Sequence, residues 1–429
     1  MGLGTNMGIT PNPTGPSHMR ILHTSDWHLG QHFMGKSRQA EHQALIDWLI
    51  EQVDAQAVDA VLIAGDIFDT GAPPSYARGL YSELVARLHR AGVALLLLGG
   101  NHDSVATLVE SRSLLAFLST TVVAAVGDPA VHVVELPQRG GSGEAGCIVC
   151  AVPFLRPRDV LQSQAGQSAE DKQQSLQVAI QAYYQTVVEA GRARQATLQR
   201  ELGRVVPLIA TGHLTTVGAS SNESVREIYV GSLDAFPTAA FPAVDYLALG
   251  HIHKPQKVGG LAHIRYCGSP IALGFDEAQQ QKEVLLVELN ETGLVAVTAL
   301  AVPRFQALVS VSGNLATLAG AIAGAATQGT AEKPVWLEVT VAEDDYLSDL
   351  PERIAVMTQG LPVEVLRVRR QRTSSAAILA GETTATLDEL SPDEVFARRL
   401  ASEDLAPELA QALSQRYRAV AAGLTRNDE

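Results

Sequence analysis

The chain has 429 residues, an apolar content of 46% and a formal net charge of −14, enough for one large domain with one or two smaller ones. The acidic balance argues against gripping nucleic acid by bulk charge, although metal ions or a partner protein can supply positive charge locally. No uncharged apolar run reaches 18 residues, which excludes a spanning helix, and three cysteines exclude a disulfide framework and fit a reducing cytoplasm. Residues 1–18 are rich in Gly, Pro, Thr and Asn and lack the basic start and apolar stretch of a secretion signal. They are expected to be disordered, either an addition to the native chain or an over-extended start. The first strand, MRILHTSD, begins at Met19. Residues 39–56 predict a helix with Ala44, Leu45, Trp48, Leu49 and Val53 on one face. AVLIAGD (60–66) predicts a buried strand, residues 76–91 a helix, and VALLLLGGNHD (93–103) a strand running into a loop. CIVCAVPF is strand-like; its Cys147 and Cys150 form a CxxC, but no second pair exists to complete a zinc site, so both read as buried thiols. Residues 163–204, rich in Gln, Glu, Arg and Ala, predict one long exposed helix. PLIATGH (207–213) and DYLALGH (245–251) are two further strands. Residues 304–370 read β-α-β-α-β, a compact second domain. A Ser/Thr/Ala-rich linker follows at 371–385, then two short helices.

The apolar strands finish at a glycine or polar residue and then a potential ligand, which is the α/β logic that gathers chemistry at the carboxyl ends of strands. Five such sites stand in order: Asp26-Trp27-His28, Gly65-Asp66, Gly99-Gly100-Asn101-His102-Asp103, Gly212-His213 and Gly250-His251-Ile252-His253. Singly each is weak, since a Gly-His at a strand end is more often structural and GNHD also reads as a capped turn. As an ordered set they point to a metal centre. Two divalent ions can clamp the attacking and departing oxygens of a phosphoryl transfer, and one carboxylate, Asp66, would bridge them. Imidazole, carboxylate and amide ligands without thiolates suit Mn²⁺ or Fe²⁺ better than structural zinc. The glycines before Asp66, Asn101, His213 and His251 would let the backbone turn sharply and approach the ions. His23, His42 and His89 read as structural, and His32 stands close to the first motif. Lys36, Arg38, Arg78, Lys254 and Arg265 flank the motif loops and read by default as solvated surface charge.

The motif set resembles the calcineurin-type metallophosphoesterase superfamily. The runs GDIFDTGAPPSYA, TVGASSNESVREIYVGSLDAFP, GHIHKPQ and RYCGSPIALGFDE narrow the likeness to the D subunits of bacterial SbcCD nucleases. The likeness runs from Met19 to about residue 290 and continues more loosely beyond. It implies a four-layer αββα sandwich over 19–290, a smaller β-α-β-α-β capping, DNA-recognition domain over 300–372, and a helical partner-binding segment over 386–429. It further implies that Asp26, His28, Asp66 and His253 hold one Mn²⁺ ion, and Asp66, Asn101, His213 and His251 a second. His102 would stabilise the phosphorane or protonate the leaving oxygen. Asp103 would orient His102 or close the loop, and Asp69 would stand near the scissile phosphate.

The implied activity is two-metal hydrolysis of DNA phosphodiesters: 3′→5′ exonuclease action on duplex ends with a partner ATPase, and endonuclease action on single strands and hairpins. Such activity serves repair, replication and recombination, in a cytoplasmic, nucleoid-associated setting. The likeness implies that ATP dependence comes from an SbcC-type, SMC-like ATPase with a long coiled coil, in a two-plus-two assembly built on a homodimer of this chain. In the last segment Leu405, Leu409, Leu413, Val420 and Leu424 form one helical stripe that would either pack on this chain's own second domain or, as the Ser/Thr/Ala-rich linker before it favours, dock on such a partner. A phosphodiesterase of small molecules is the rival enzyme, which the second domain and tail argue against. A DNA-end scaffold with vestigial metal sites is the non-enzymatic rival, which the complete ligand set argues against.

Overall fold

A computed structural model describes residues 18–141, 143–161, 168–220, 235–342 and 349–370, with Leu413, Ser414, Arg416 and Tyr417. The leader up to residue 17, the 371–385 linker and nearly all of the 386–429 segment lie outside the described residues, as does the middle of the TVGASSNESVREIYVGSLDAFP run.

Short strands that are apolar at every position need cover on both faces. Ala60–Ile63 and Ala94–Leu98 are such strands, buried throughout. They lie in a six-stranded sheet ordered Gly293–Ala301, Glu283–Asn290, Met19–Thr24, Ala60–Ile63, Ala94–Leu98, Thr120–Val123. The last four strands run parallel, and the first two close one edge antiparallel. A second six-stranded sheet is ordered Gln256–Lys257, Ile264–Tyr266, Tyr246–Gly250, Leu208–His213, Ala145–Cys150, Val133–Pro137.

Side chains alternate across a strand, and here the alternation divides three cores. Leu22, Val61, Ile63, Leu95 and Leu97 pack against Leu45, Leu49, Leu84 and Leu88 of the helices Gln39–Ala55 and Ser75–Arg90. Their neighbours Ile21, Leu62, Leu96 and Leu98 share a core with Cys147, Val149, Ile209 and Ala248 of the second sheet. Ile148, Cys150, Leu208 and Leu249 turn the other way, onto the helix Ala169–Leu202. Cys147 and Cys150 therefore face opposite sides of one strand and cannot converge on one ion.

Two sequence expectations need correction. The inner stripe of the first helix is His42, Leu45, Ile46, Leu49 and Val53; Ala44 and Trp48 are only half-buried. The stripe starts from His42, one position round from the face counted through Ala44. The long helix is 34 residues, begun by a Ser168–Asp171 capping box and ended by Gly203 at φ 72°. It is not a solvated rod, because Leu176, Ile180, Tyr184, Val187 and Val188 are buried against the second sheet. Its Gln, Glu and Arg residues dilute that stripe in the composition without interrupting its helical spacing.

The strands Leu308–Gly313, Val335–Val341 and Val363–Arg370 form a separate parallel sheet, with the helices Leu315–Ala326 and Leu350–Thr358 as its crossovers. Its own core includes Val311, Leu318, Ile322, Val339 and Ile354. A small apolar seam of Phe33, Phe275, Ala278, Leu308 and Trp336 joins it to the rest. Phe33 and Trp336 stack at 5.8 Å, and Lys36 pairs with Glu364 across the same join. Among the described residues no helix is long and apolar enough to cross a membrane.

Candidate metal centre

The predicted ligands come from the carboxyl ends of adjacent strands in both sheets. Asp26 and His28 follow Met19–Thr24, Asp66 follows Ala60–Ile63, Asn101 follows Ala94–Leu98, His213 ends Leu208–His213, and His251 and His253 follow Tyr246–Gly250. The structure brings these together and buries all of them except Asn101, which is half-buried. Ligand atoms of Asp26, His28 and His253 lie within 4.8 Å of one another, and so do those of Asp26, Asp66 and His213. Asp26 thus stands within reach of both sets.

The backbone pays for this convergence. Asp26 (φ 53°), His28 (φ 47°), Asp66 (φ 49°) and His251 (φ 91°) all adopt left-handed conformations, which side chains other than glycine rarely take. They are four of the seven such non-glycine residues described, so the strain concentrates at the predicted ligands. Gly65 makes part of the approach possible: at φ +94° it has the His213 ring against it, and a Cβ there would strike that ring.

Hydrogen bonds fix how the ligands point. His213 Nδ1 lies 2.9 Å from the Ala64 carbonyl, which can only accept, so Nδ1 carries the proton. Its Nε2 then faces Asn101 Oδ1 at 2.8 Å and Asp66 Oδ2 at 3.3 Å. Asp66 Oδ2 is also 3.6 Å from His28 Nε2. These atoms all present lone pairs to one another, an arrangement that only a proton or a cation relieves. Burial lowers the proton affinity of His213, but the Asp66 carboxylate outweighs it and pushes the pKa up to about 9. The Nε2 atoms of His28 and His251 are buried without a hydrogen-bond partner. Adjacent ligand atoms on a small octahedral ion with bonds near 2.1 Å stand about 3 Å apart, which these separations match. The donor set therefore fits divalent ions, without thiolate and with Asp66 between the two histidine groups.

The remaining predicted residues surround this cluster. His102 donates from Nδ1 to the Asp69 carbonyl at 2.8 Å, and its amide donates to Asp66 Oδ1 at 2.9 Å. Its ring stands 4.7 Å from that of His28. Asp69 Oδ1 is 3.2 Å from His28 Nδ1. Asp103 accepts the amides of Ile67, Phe68 and Gly100 at 3.1, 2.9 and 2.9 Å, so it ties the second and third motif loops together. Burial and the neighbouring Asp66 push its pKa up to about 6. A pocket is lined by His28, Asp69, His102 and His253, and also by Phe33, Phe275 and Arg367.

Sequence reasoning missed several contributors. Glu277 bonds His253, and Arg367 reaches the pocket from the third sheet while lying over Phe275 and pairing with Glu338. Glu277 stands in the quoted GFDE run, but no spacing ties it to a histidine 24 residues earlier; Arg367 looks like any strand residue of VEVLRVRR. Of the flanking basic residues, Arg38 is not solvated: it is buried, pairs with Glu41 and donates to the Ala272 carbonyl at 2.6 Å. Lys36 is engaged by Glu364. His23 and His42 are buried in the strand and helix that carry them, and His23 bonds Tyr246 at 3.0 Å.

The chain is similar to known proteins. The Calcineurin-like phosphoesterase family matches residues 19–255. The Type 5 capsule protein repressor C-terminal domain matches residues 304–404. The chain is 51% identical over 389 residues to the D subunit of nuclease SbcCD from Escherichia coli, covering 90% of this chain and 94% of that protein. It is 36% identical to the corresponding SbcCD protein of Rhodobacter capsulatus, over 63% of this chain and 66% of that one. For the corresponding Bacillus subtilis protein the figures are 31%, 63% and 66%. The ordered ligand motifs, their convergence in space and these similarities together make the chain a member of the calcineurin-like phosphoesterases and, among them, of the family of SbcCD nuclease D subunits.

Proposed function

We propose that the chain is the nuclease component of an SbcCD-type complex and hydrolyses DNA phosphodiesters with two divalent ions, Mn²⁺ being the expected pair. One ion would be held by Asp26, His28, Asp66 and His253, the other by Asp66, Asn101, His213 and His251. The observation that carries this reading is the Asp66 carboxylate, whose Oδ2 lies 3.3 Å from His213 Nε2 and 3.6 Å from His28 Nε2. A carboxylate between two histidine groups is what a bridging ligand requires.

Bound ions would supply Lewis acidity and positive charge at the phosphate. The protein's own groups do the rest. With Nδ1 of His102 donating to Asp69, its Nε2 is the nitrogen that exchanges a proton with the leaving oxygen. Arg367, at the pocket lining, supplies a guanidinium that can bind a phosphate next to the scissile one. The two large sheets with helices outside them support a four-layer αββα core, which would run past the expected boundary at residue 290 because the edge strand Gly293–Ala301 belongs to the first sheet. The third sheet would act as a capping unit over 300–372, and 386–429 as the segment that binds an SbcC-type ATPase. A two-plus-two assembly, 3′→5′ exonuclease action with the ATPase, and ATP-independent cleavage of single strands and hairpins complete the reading.

A gel assay of the purified chain with hairpin DNA, alongside bis-p-nitrophenyl phosphate, tests it. The hairpin should be cut with Mn²⁺ and left intact in chelator. Rapid hydrolysis of the small phosphodiester with the hairpin untouched would overturn the assignment of DNA as substrate.

A further inference from the structure

His253 completes the first proposed ligand set, and its surroundings are unusually polar for a buried site. Its ring Nδ1 lies 3.0 Å from Glu277 Oε1. Its backbone carbonyl accepts from the Lys282 ammonium at 3.0 Å and from the Ser269 amide at 3.1 Å. The second oxygen of Glu277 accepts from Lys282 at 2.6 Å, from the Leu273 amide at 3.0 Å and from the Ser269 hydroxyl at 3.2 Å. Glu277, Lys282 and Ser269 are all buried.

A buried Glu–Lys pair is a poor device for stability alone, because desolvating two charges costs about as much as their attraction returns and apolar residues of the same volume often do as well. Its placement has a different consequence. An ionised carboxylate only accepts, so Nδ1 of His253 must donate. That fixes the tautomer, and Nε2 becomes the nitrogen offered to the cluster with Asp26 and His28. The carbonyl contacts hold the same residue's backbone. We infer that Glu277, anchored by Lys282, is a positioning residue that sets the tautomer and orientation of His253 for ion binding. This inference rests on the two-ion reading above.

Mn²⁺ titration of the metal-free full-length chain, followed by the electron paramagnetic resonance signal of free Mn²⁺, tests it together with a thermal melt. The wild type should take up two ions. Glu277→Leu combined with Lys282→Met keeps the site filled and neutral, and should melt near the wild type. It should lose about 10- to 100-fold in affinity for one ion and keep the other. Glu277→Gln, which retains an acceptor oxygen, should recover most of that loss. A folded double variant that binds both ions with wild-type affinity would leave Glu277 with no role beyond neutralising Lys282. Should the double variant not fold, ¹⁵N-histidine spectra of the metal-free wild type decide: His253 as the Nδ1–H tautomer supports the inference, and the Nε2–H tautomer overturns it. A wild type binding fewer than two ions would instead contradict the two-ion reading.

Discussion

Asp66 holds the centre through both ends of its carboxylate: Oδ1 accepts the His102 amide at 2.9 Å, and Oδ2 faces His28 and His213. Asp66→Ala should therefore remove both ions and reduce cleavage to background. Metal analysis is the check, and two ions retained per chain would end the bridging assignment. His102 makes a sharp contrast, because its ring is bonded to the Asp69 carbonyl and is absent from the proposed ligand sets. His102→Ala should leave Mn²⁺ uptake and DNA affinity intact while slowing single-turnover cleavage by about 10²–10⁴-fold. Near-normal turnover would remove His102 from the chemistry. Left-handed backbone at Asp26, His28, Asp66 and His251 costs about 1–3 kcal/mol at each position. Such strain persists only where the surrounding structure, or a ligand, holds it in place.

At the scale of elements, the helix Ala169–Leu202 covers the outer face of the second sheet and carries none of the ligand motifs. Ile180 is fully buried in that contact, so Ile180→Ala should cost about 2–5 kcal/mol in denaturant unfolding. Mn²⁺ stoichiometry should stay unchanged; loss of an ion would show that the helix shapes the centre. This helix also marks where sequence reading stopped. Strands such as AVLI and ALLLL were legible because they are apolar at every position, and the ligand motifs because each stands at the carboxyl end of a largely apolar strand. The buried stripe of Leu176, Ile180, Tyr184 and Val188 was not, because a polar majority hides a helical period when composition is judged alone. The ion pair that grips His253 was equally invisible, since Glu277 and Lys282 acquire meaning only when the loop after Ile264–Tyr266 folds back. Arg367 is legible only once the third sheet is docked along the seam at Phe33, Phe275 and Trp336.

For the whole molecule, ions that bind only the folded chain should raise its melting temperature. At 100 times the dissociation constant each site contributes about 2.7 kcal/mol, and about 2–4 °C accompanies each kcal/mol in a domain of this size. Calorimetry with Mn²⁺ against chelator should separate the melts by on the order of 10 °C, and coincident melts would contradict the two-ion reading. Residues 386–429 carry nine Asp/Glu against five Arg, a net of −4, which suits a protein partner better than DNA. Deleting them should leave Mn²⁺-dependent cleavage of single strands intact and abolish co-purification with the ATPase. Retained co-purification would move the contact elsewhere, with the third sheet the next candidate. The three thiols, finally, amount to a set of internal clocks. Burial raises the pKa of all three, that of Cys150 to about 12, so none is a nucleophile while its surroundings stay closed. Each keeps a different place: Cys147 between the sheets, Cys150 beneath the long helix, and Cys267 with Sγ 3.0 Å from the Ser25 hydroxyl that in turn bonds Asp26. The order in which a thiol reagent modifies them would therefore time the opening of three separate regions, with Cys267 quickening when chelation loosens the ligand loops and the other two waiting for their own layers to part.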